Sequence, residues 1–123
     1  MRQIKAVLRS IDAQTATAVP IHYNGSSGSI TINEKDEIRI ESIALNWAGA
    51  AGDVHVYFST DGTSPASWQT IARGGVTGLT NPQVFTIVHH GLNFTAPPGY
   101  KIYLEAEAAG TVNVVINGAV IQR

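Results

Sequence analysis

"EIRIESIALNW", residues 37–47, changes phase in its middle. Ile38 and Ile40 fall on even positions, whereas Ile43, Leu45 and Trp47 fall on odd ones. Side chains of an extended chain alternate between two faces, so an unbroken strand would split this apolar set between core and water. One irregularity near Glu41-Ser42, a β-bulge or a bend, returns all five to a single buried face. The stretch therefore reads as strand, and the irregularity is part of the reading.

The same period of two extends outward from it. In "SITIN" (29–33), Ile30 and Ile32 alternate with polar residues. "DVHVYFS" (53–59) turns Val54, Val56 and Phe58 inward, with His55 and Tyr57 outward. "YKIYLEAEA" (100–108) turns Tyr100, Ile102, Leu104 and Ala106 inward, with Lys101, Tyr103, Glu105 and Glu107 outward. "QVFTIVHH" (83–90) is apolar on both parities, which predicts a strand covered on both sides. "TVNVVINGAVIQR" (111–123) closes the chain, with Asn117-Gly118 as a candidate two-residue hairpin turn.

Turn chemistry separates these runs: "YNGSSGS", "NEKD", "AGAAGD", "DGTSPAS", "RGGVTG", "TNP", "APPG" and "AAG". Helical periodicity is almost absent; Ile4, Val7, Leu8 and Ile11 come nearest to it, and Ile4, Ala6 and Leu8 read as well for a strand. The expected architecture is all-β: an antiparallel, jelly-roll-like β-sandwich of about 8–10 short strands. Residues 1–18 are expected to form an N-terminal arm or edge strand, and 19–123 a single sandwich domain.

Composition narrows the function classes. The 123 residues fit one domain. A net charge of −1 gives no overall field toward nucleic acid or an anionic membrane. With no cysteine there is no disulfide framework, thiolate nucleophile or cysteine zinc site. Arg9 interrupts the first apolar stretch, so "MRQIKAVLRSIDAQT" does not read as a signal peptide. No run approaches the ~20 apolar residues of a spanning helix.

Candidate chemistry is sparse. "YFSTDGTSPASWQTI" (57–71) holds Ser59, Asp61 and Trp68 in partial likeness to a sialidase-type Asp-box, but Gly62 follows Asp61 directly and extra residues precede Trp68. Asp61-Gly62 reads instead as a strand connection. His89 and His90 are adjacent and would point to opposite faces of a strand, and no HxH or HxxxH spacing occurs, so no metal site is expected. Glu105 and Glu107 share an outward face with nothing to select them as a catalytic pair. No catalytic residues and no cofactor are assigned. Trp47 and Trp68 continue apolar strands and are expected to be buried; Tyr57 and Tyr103 face outward and are candidate partner contacts. Arg2, Lys5 and Arg9 precede the first acid, Asp12, and form a basic segment suited to an acidic protein surface.

In "GSITINEKDEIRIESIAL", in the small-residue loops "WAGAAGD" and "RGGVTG" and in the terminal "VNVVINGAVIQR", the chain resembles the small jelly-roll decoration, or cement, proteins of tailed-phage capsids. That resemblance implies a virion protein made in the host cytoplasm. It implies a homotrimer bound between capsomers to the major capsid protein or another virion protein, with no enzymatic activity and no cofactor; the near-neutral charge adds the expectation of no nucleic-acid or membrane partner. The alternative is a carbohydrate-binding, lectin-like sandwich, as on a phage tail or fibre, in which exposed aromatic residues stack on sugar.

Overall fold

The phase change in residues 37–47 is a β-bulge. In the computed structural model, strand β4 (Glu37–Gly49) runs antiparallel to β10 (Gly110–Ile121) along its length. Asn117 faces Ser42 and Gly118 faces Ile40, so Glu41 is the extra residue with no partner across the ladder. Ile38, Ile40, Ile43, Leu45 and Trp47 are consequently all buried. The structure describes residues 2–9, 15–24, 28, 30–49, 52–63, 66–76, 83–107 and 110–122.

The other described strands are β1 (Arg2–Leu8), β2 (Thr17–Ala18), β3 (Ile21–Tyr23), β5 (Gly52–Ser59), β6 (Thr70–Val76), β7 (Gln83–His89), β8 (Phe94–Ala96) and β9 (Lys101–Ala106), with one 3-10 turn at Ser67–Gln69. They form two antiparallel sheets. The larger has the order β3-β1-β10-β4-β7, with β8 also on β4; the smaller has the order β2-β9-β5-β6. Without the short β3 and β8, the pairings are nested: β1 with β10, β2 with β9, β4 with β7, and β5 with β6. A long hairpin rolled on itself generates that nesting, which is jelly-roll topology.

One core fills the space between the sheets. From the larger sheet come Ile4, Ala6, Ile38, Ile40, Ile43, Leu45, Trp47, Val112, Val114, Ile116 and Val120; from the smaller come Val54, Val56, Phe58, Ile102, Leu104 and Ala106. Each large aliphatic side chain contributes about 1.5–3 kcal/mol by leaving water. A second bulge, at Ile71 opposite Val56 and Tyr57, lets Ile71 and Ala72 both join the core.

Four expectations are corrected. Within residues 1–18, expected as arm or edge strand, β1 is neither, because it is hydrogen-bonded to β10 on one side and to β3 on the other, with Ile4 and Ala6 buried. By contrast, β2 does lie at the edge of the smaller sheet. Asn117-Gly118 is no hairpin turn, since β10 runs straight through it and neither residue has the positive φ that such a turn needs. The ladder on β4 and β1 outweighs the local turn preference. Residues 30–33 form no strand; Ile30 and Ile32 are half-buried against the core, and the Ile30 N–H donates to the Ile21 carbonyl at 2.8 Å. β7 lies at the end of its sheet and Val88 is 50% exposed, so that strand is not covered on both sides at Val88. The side chains of residues 83–87 lie outside the described set.

Gly118 sits where β10 most closely approaches the bulge: a Cβ there would be driven into the Arg39 carbonyl oxygen. Gly118→Ala is expected to cost on the order of 3 kcal/mol, as overpacking against backbone that cannot yield. Urea denaturation of the variant beside the wild-type protein checks this.

Candidate functional site

Within the 57–71 stretch, residues 59–63 form a built turn. The Ser59 hydroxyl accepts the N–H groups of Asp61 and Gly62 at 3.3 and 2.9 Å. Asp61 Oδ1 accepts from the N–H and the hydroxyl of Thr63 at 3.0 and 2.8 Å. Those bonds, Thr63 first, hold the Asp61 carboxyl below its ordinary pKa. Gly62 has φ +86°, closing the turn. Asp61 serves its own backbone, as the sequence predicts. Trp68 departs from expectation: it lies on the 3-10 turn and is 54% exposed, because that turn lifts it off the sheet before β6 begins. Trp47 is buried.

Beneath this turn lies a polar cluster on the outer face of the smaller sheet. Tyr57 points away from the core, as its parity requires, yet it is fully buried, so it is no surface contact. The 59–63 loop and the ring of Tyr103, stacked at 6.1 Å, cover it. Its hydroxyl donates to the Gly62 carbonyl at 3.0 Å and to Glu105 Oε2 at 3.2 Å. Burial, then the Glu105 charge and hydrogen bond, push the Tyr57 hydroxyl up to about 12, so it stays protonated. His55 packs on Tyr57 at 4.8 Å and shares a 2.8 Å hydrogen bond with the Thr70 hydroxyl. Burial and the nearby Arg73 lower its pKa, opposed by Glu105 and Asp53. Arg73 is paired with Asp53 at 2.7 Å, an exposed bridge of little energetic weight. The cluster joins strands β5, β6 and β9 to the turn above them. Among the described residues, no three His, Cys, Asp or Glu side chains are grouped to hold a metal ion.

The basic residues do not form one patch. Lys5 has outward parity on the larger sheet, opposite His22 and Asn117. Arg9 is exposed just past the end of β1. Arg2 has the opposite parity and sits over the Tyr23 ring at 5.2 Å. Tyr103 belongs to the other sheet. The five candidate contacts are therefore dispersed.

What the fold does bring together is an uncharged row. Val7 faces Val115, Val115 faces Ala44, and Ala44 faces Val88. Each has a buried neighbour in its strand or lies opposite such a residue, so all four point outward from the larger sheet. At strand spacing the row is about 15 Å long. Val88 and Ala44 are exposed, while Val7 and Val115 are half-buried. Beside the row, Asn117 donates to the Ser42 hydroxyl at 3.2 Å, and Asn113 faces Asn46. Residues 110–121 contain no charged residue. The doubled apolar parity of 112–116 is the sequence signal for this face; Ala44 gave none. No known family model matches the chain, and no curated protein matches its sequence.

Two outcomes follow from the cluster. Tyr57→Phe removes both hydroxyl bonds and is expected to cost about 1–3 kcal/mol, read by thermal or chemical denaturation. His55 has a folded-state pKa below its ordinary 6.5, so the unfolded chain takes up the proton first. Stability should fall as pH drops through 6.5 toward the lower folded value, and denaturation curves of His55→Gln should lack that component.

Proposed function

We propose that this chain is a virion structural protein: a decoration, or cement, module that associates with copies of itself and binds between the capsomers of a phage shell. The observation that carries the reading is the neutral row Val7–Val115–Ala44–Val88 on an open sheet face. An exposed face of valine and alanine is better covered than left in water. A row without charge meets its own copy without like-charge repulsion along it, and closed symmetric homo-oligomers are the common result. Three-fold symmetry comes from the resemblance to cement proteins, as does the capsid partner. Lys5 and Arg9, beside this face, are the groups that would meet an acidic shell. The activity is binding and reinforcement, with no cofactor and no catalytic step.

Because β1 is interior to its sheet, the basic charges have to be tested by substitution and not by deletion of the strand. At micromolar concentration the wild-type protein is expected to sediment as a trimer. Val115→Lys places like charges on the joined faces and should yield a monomer that keeps its β circular-dichroism spectrum and loses only the stability that association adds. The Lys5→Ser/Arg9→Ser double variant should stay trimeric but co-sediment less with capsids, with a weaker salt dependence. A monomeric wild-type protein that leaves capsids bare would overturn the reading.

A further inference from the structure

Trp68 is the largest exposed apolar side chain among the described residues, and the turn that carries it is hydrogen-bonded in place. Gln69 fixes the turn that carries it. Its backbone N–H donates to the Ala66 carbonyl at 3.0 Å, its side-chain oxygen accepts from the Ala66 N–H at 2.8 Å, and its amide donates to the Phe58 carbonyl at 2.7 Å. The indole meets Tyr100 edge-on at 5.5 Å between ring centroids. A half-exposed indole on a pinned turn contributes little to the core, but it is preorganised for a ligand.

Tyr100 is held just as firmly. Its N–H donates to the Pro97 carbonyl at 3.3 Å, and Gly99 has φ +86° after Pro98, which makes a type II turn. Tyr100 also lines an open cleft of about 210 Å³ with Asn33, Glu34, Thr60 and Lys101. The Asn33 side of the cleft is closed by buried Asp36: the Asn33 N–H donates to Asp36 Oδ2 at 3.1 Å, and the Asp36 N–H donates to the Asn33 carbonyl at 3.0 Å. Thr60 belongs to the connection that Ser59 and Asp61 hold. Three separately pinned turns thus converge on one polar cleft, and the Trp68 indole stands against Tyr100, one of the residues that line it.

We propose that this cleft binds one neutral pyranose ring of a saccharide. The apolar C–H face of the sugar packs on Trp68 and Tyr100, while its hydroxyls exchange hydrogen bonds with Glu34, Asn33, Thr60 and Lys101. Size supports a single ring, since the cleft is smaller than the ~300 Å³ at which drug-sized sites begin. Charge supports a neutral ring: Glu34 and Lys101 balance each other, neither is ion-paired within the described residues, and a sugar carboxylate would face Glu34. A phosphorylated ligand would find one lysine where several cations are wanted. One such site is weak; an assembly carrying several copies on one particle gains by multivalency. The inference is independent of the assembly reading, since Trp68 lies on the smaller sheet's connection and the neutral row on the larger sheet.

The test uses the whole chain, labelled with nitrogen-15, and the methyl glycosides of glucose, galactose, mannose and N-acetylglucosamine. At least one should give saturable shifts of the Trp68 indole N–H and of the amides of residues 33, 34, 60, 100 and 101, at up to tens of millimolar. Because Trp47 is buried, iodide quenching reports on Trp68, and the same glycoside should protect it. Trp68→Ala and Glu34→Gln should each weaken binding by about tenfold or more; Glu34, being exposed, can be changed without disturbing the fold. The proposal is overturned if none of the four glycosides shifts these resonances, if shifts cluster elsewhere, if Trp68→Ala binds like wild type, or if only methyl glucuronide binds.

Discussion

The ladder between β4 and β10 carries the sandwich. It is the longest pairing among the described strands; β1 is added to one side of β10, and β7 and β8 to the free side of β4. The ladder places a single buried face along both strands only because Glu41 is left over at the bulge. Without that extra residue, either Ile38 and Ile40 or Ile43, Leu45 and Trp47 would face water. Exposing even two such side chains costs about 3–6 kcal/mol, against a total stability of ~5–15 kcal/mol for an ordinary domain. Gly118 is the matching concession on β10, allowing the two backbones to close around the irregularity.

The two outer faces are treated in opposite ways. On the smaller sheet, Tyr57, His55, Glu105 and Thr70 are satisfied by one another and by the turn at residues 59–63. Their perturbed protonation follows from packing: a tyrosine pushed to about 12 keeps its proton, and burial lowers the proton affinity of His55. On the larger sheet, Ala44 and Val88 are exposed and Val7 and Val115 only half-buried among the described residues. A polar cluster that completes itself and an uncharged row that stays partly in water are different kinds of surface.

The fold was legible because period-two patterning and frequent turn residues are local signals, and the bulge left its mark as a parity switch. What could not be read was set by position in the sheets. Asn117-Gly118 carries strong turn chemistry, yet two neighbouring strands hold it extended. The basic residues suggested an arm, but Ile4 and Ala6 between them belong in the core. The site was less legible than the fold. Tyr57 has outward parity and is still buried, because parity gives a direction and not what lies above it. Trp68 was hidden by its apolar context; Gln69, whose side chain builds the turn, looks like any polar residue in the sequence.

Nested pairing also dictates when this molecule can fold. Arg2 lies opposite Val120, so nearly the entire described chain separates two residues that are neighbours across the ladder. β1 and β4 can find their places in the larger sheet only through β10, the last strand in the described sequence. On a ribosome, the edges of β1 and β4 that face β10 must wait, unpaired, until residues 110–121 have emerged. Contacts so distant along the chain make for slow folding, with loop-closure entropy spent before the hydrophobic return. The exposed interval falls during synthesis, when unpaired strand edges are most prone to wrong partners.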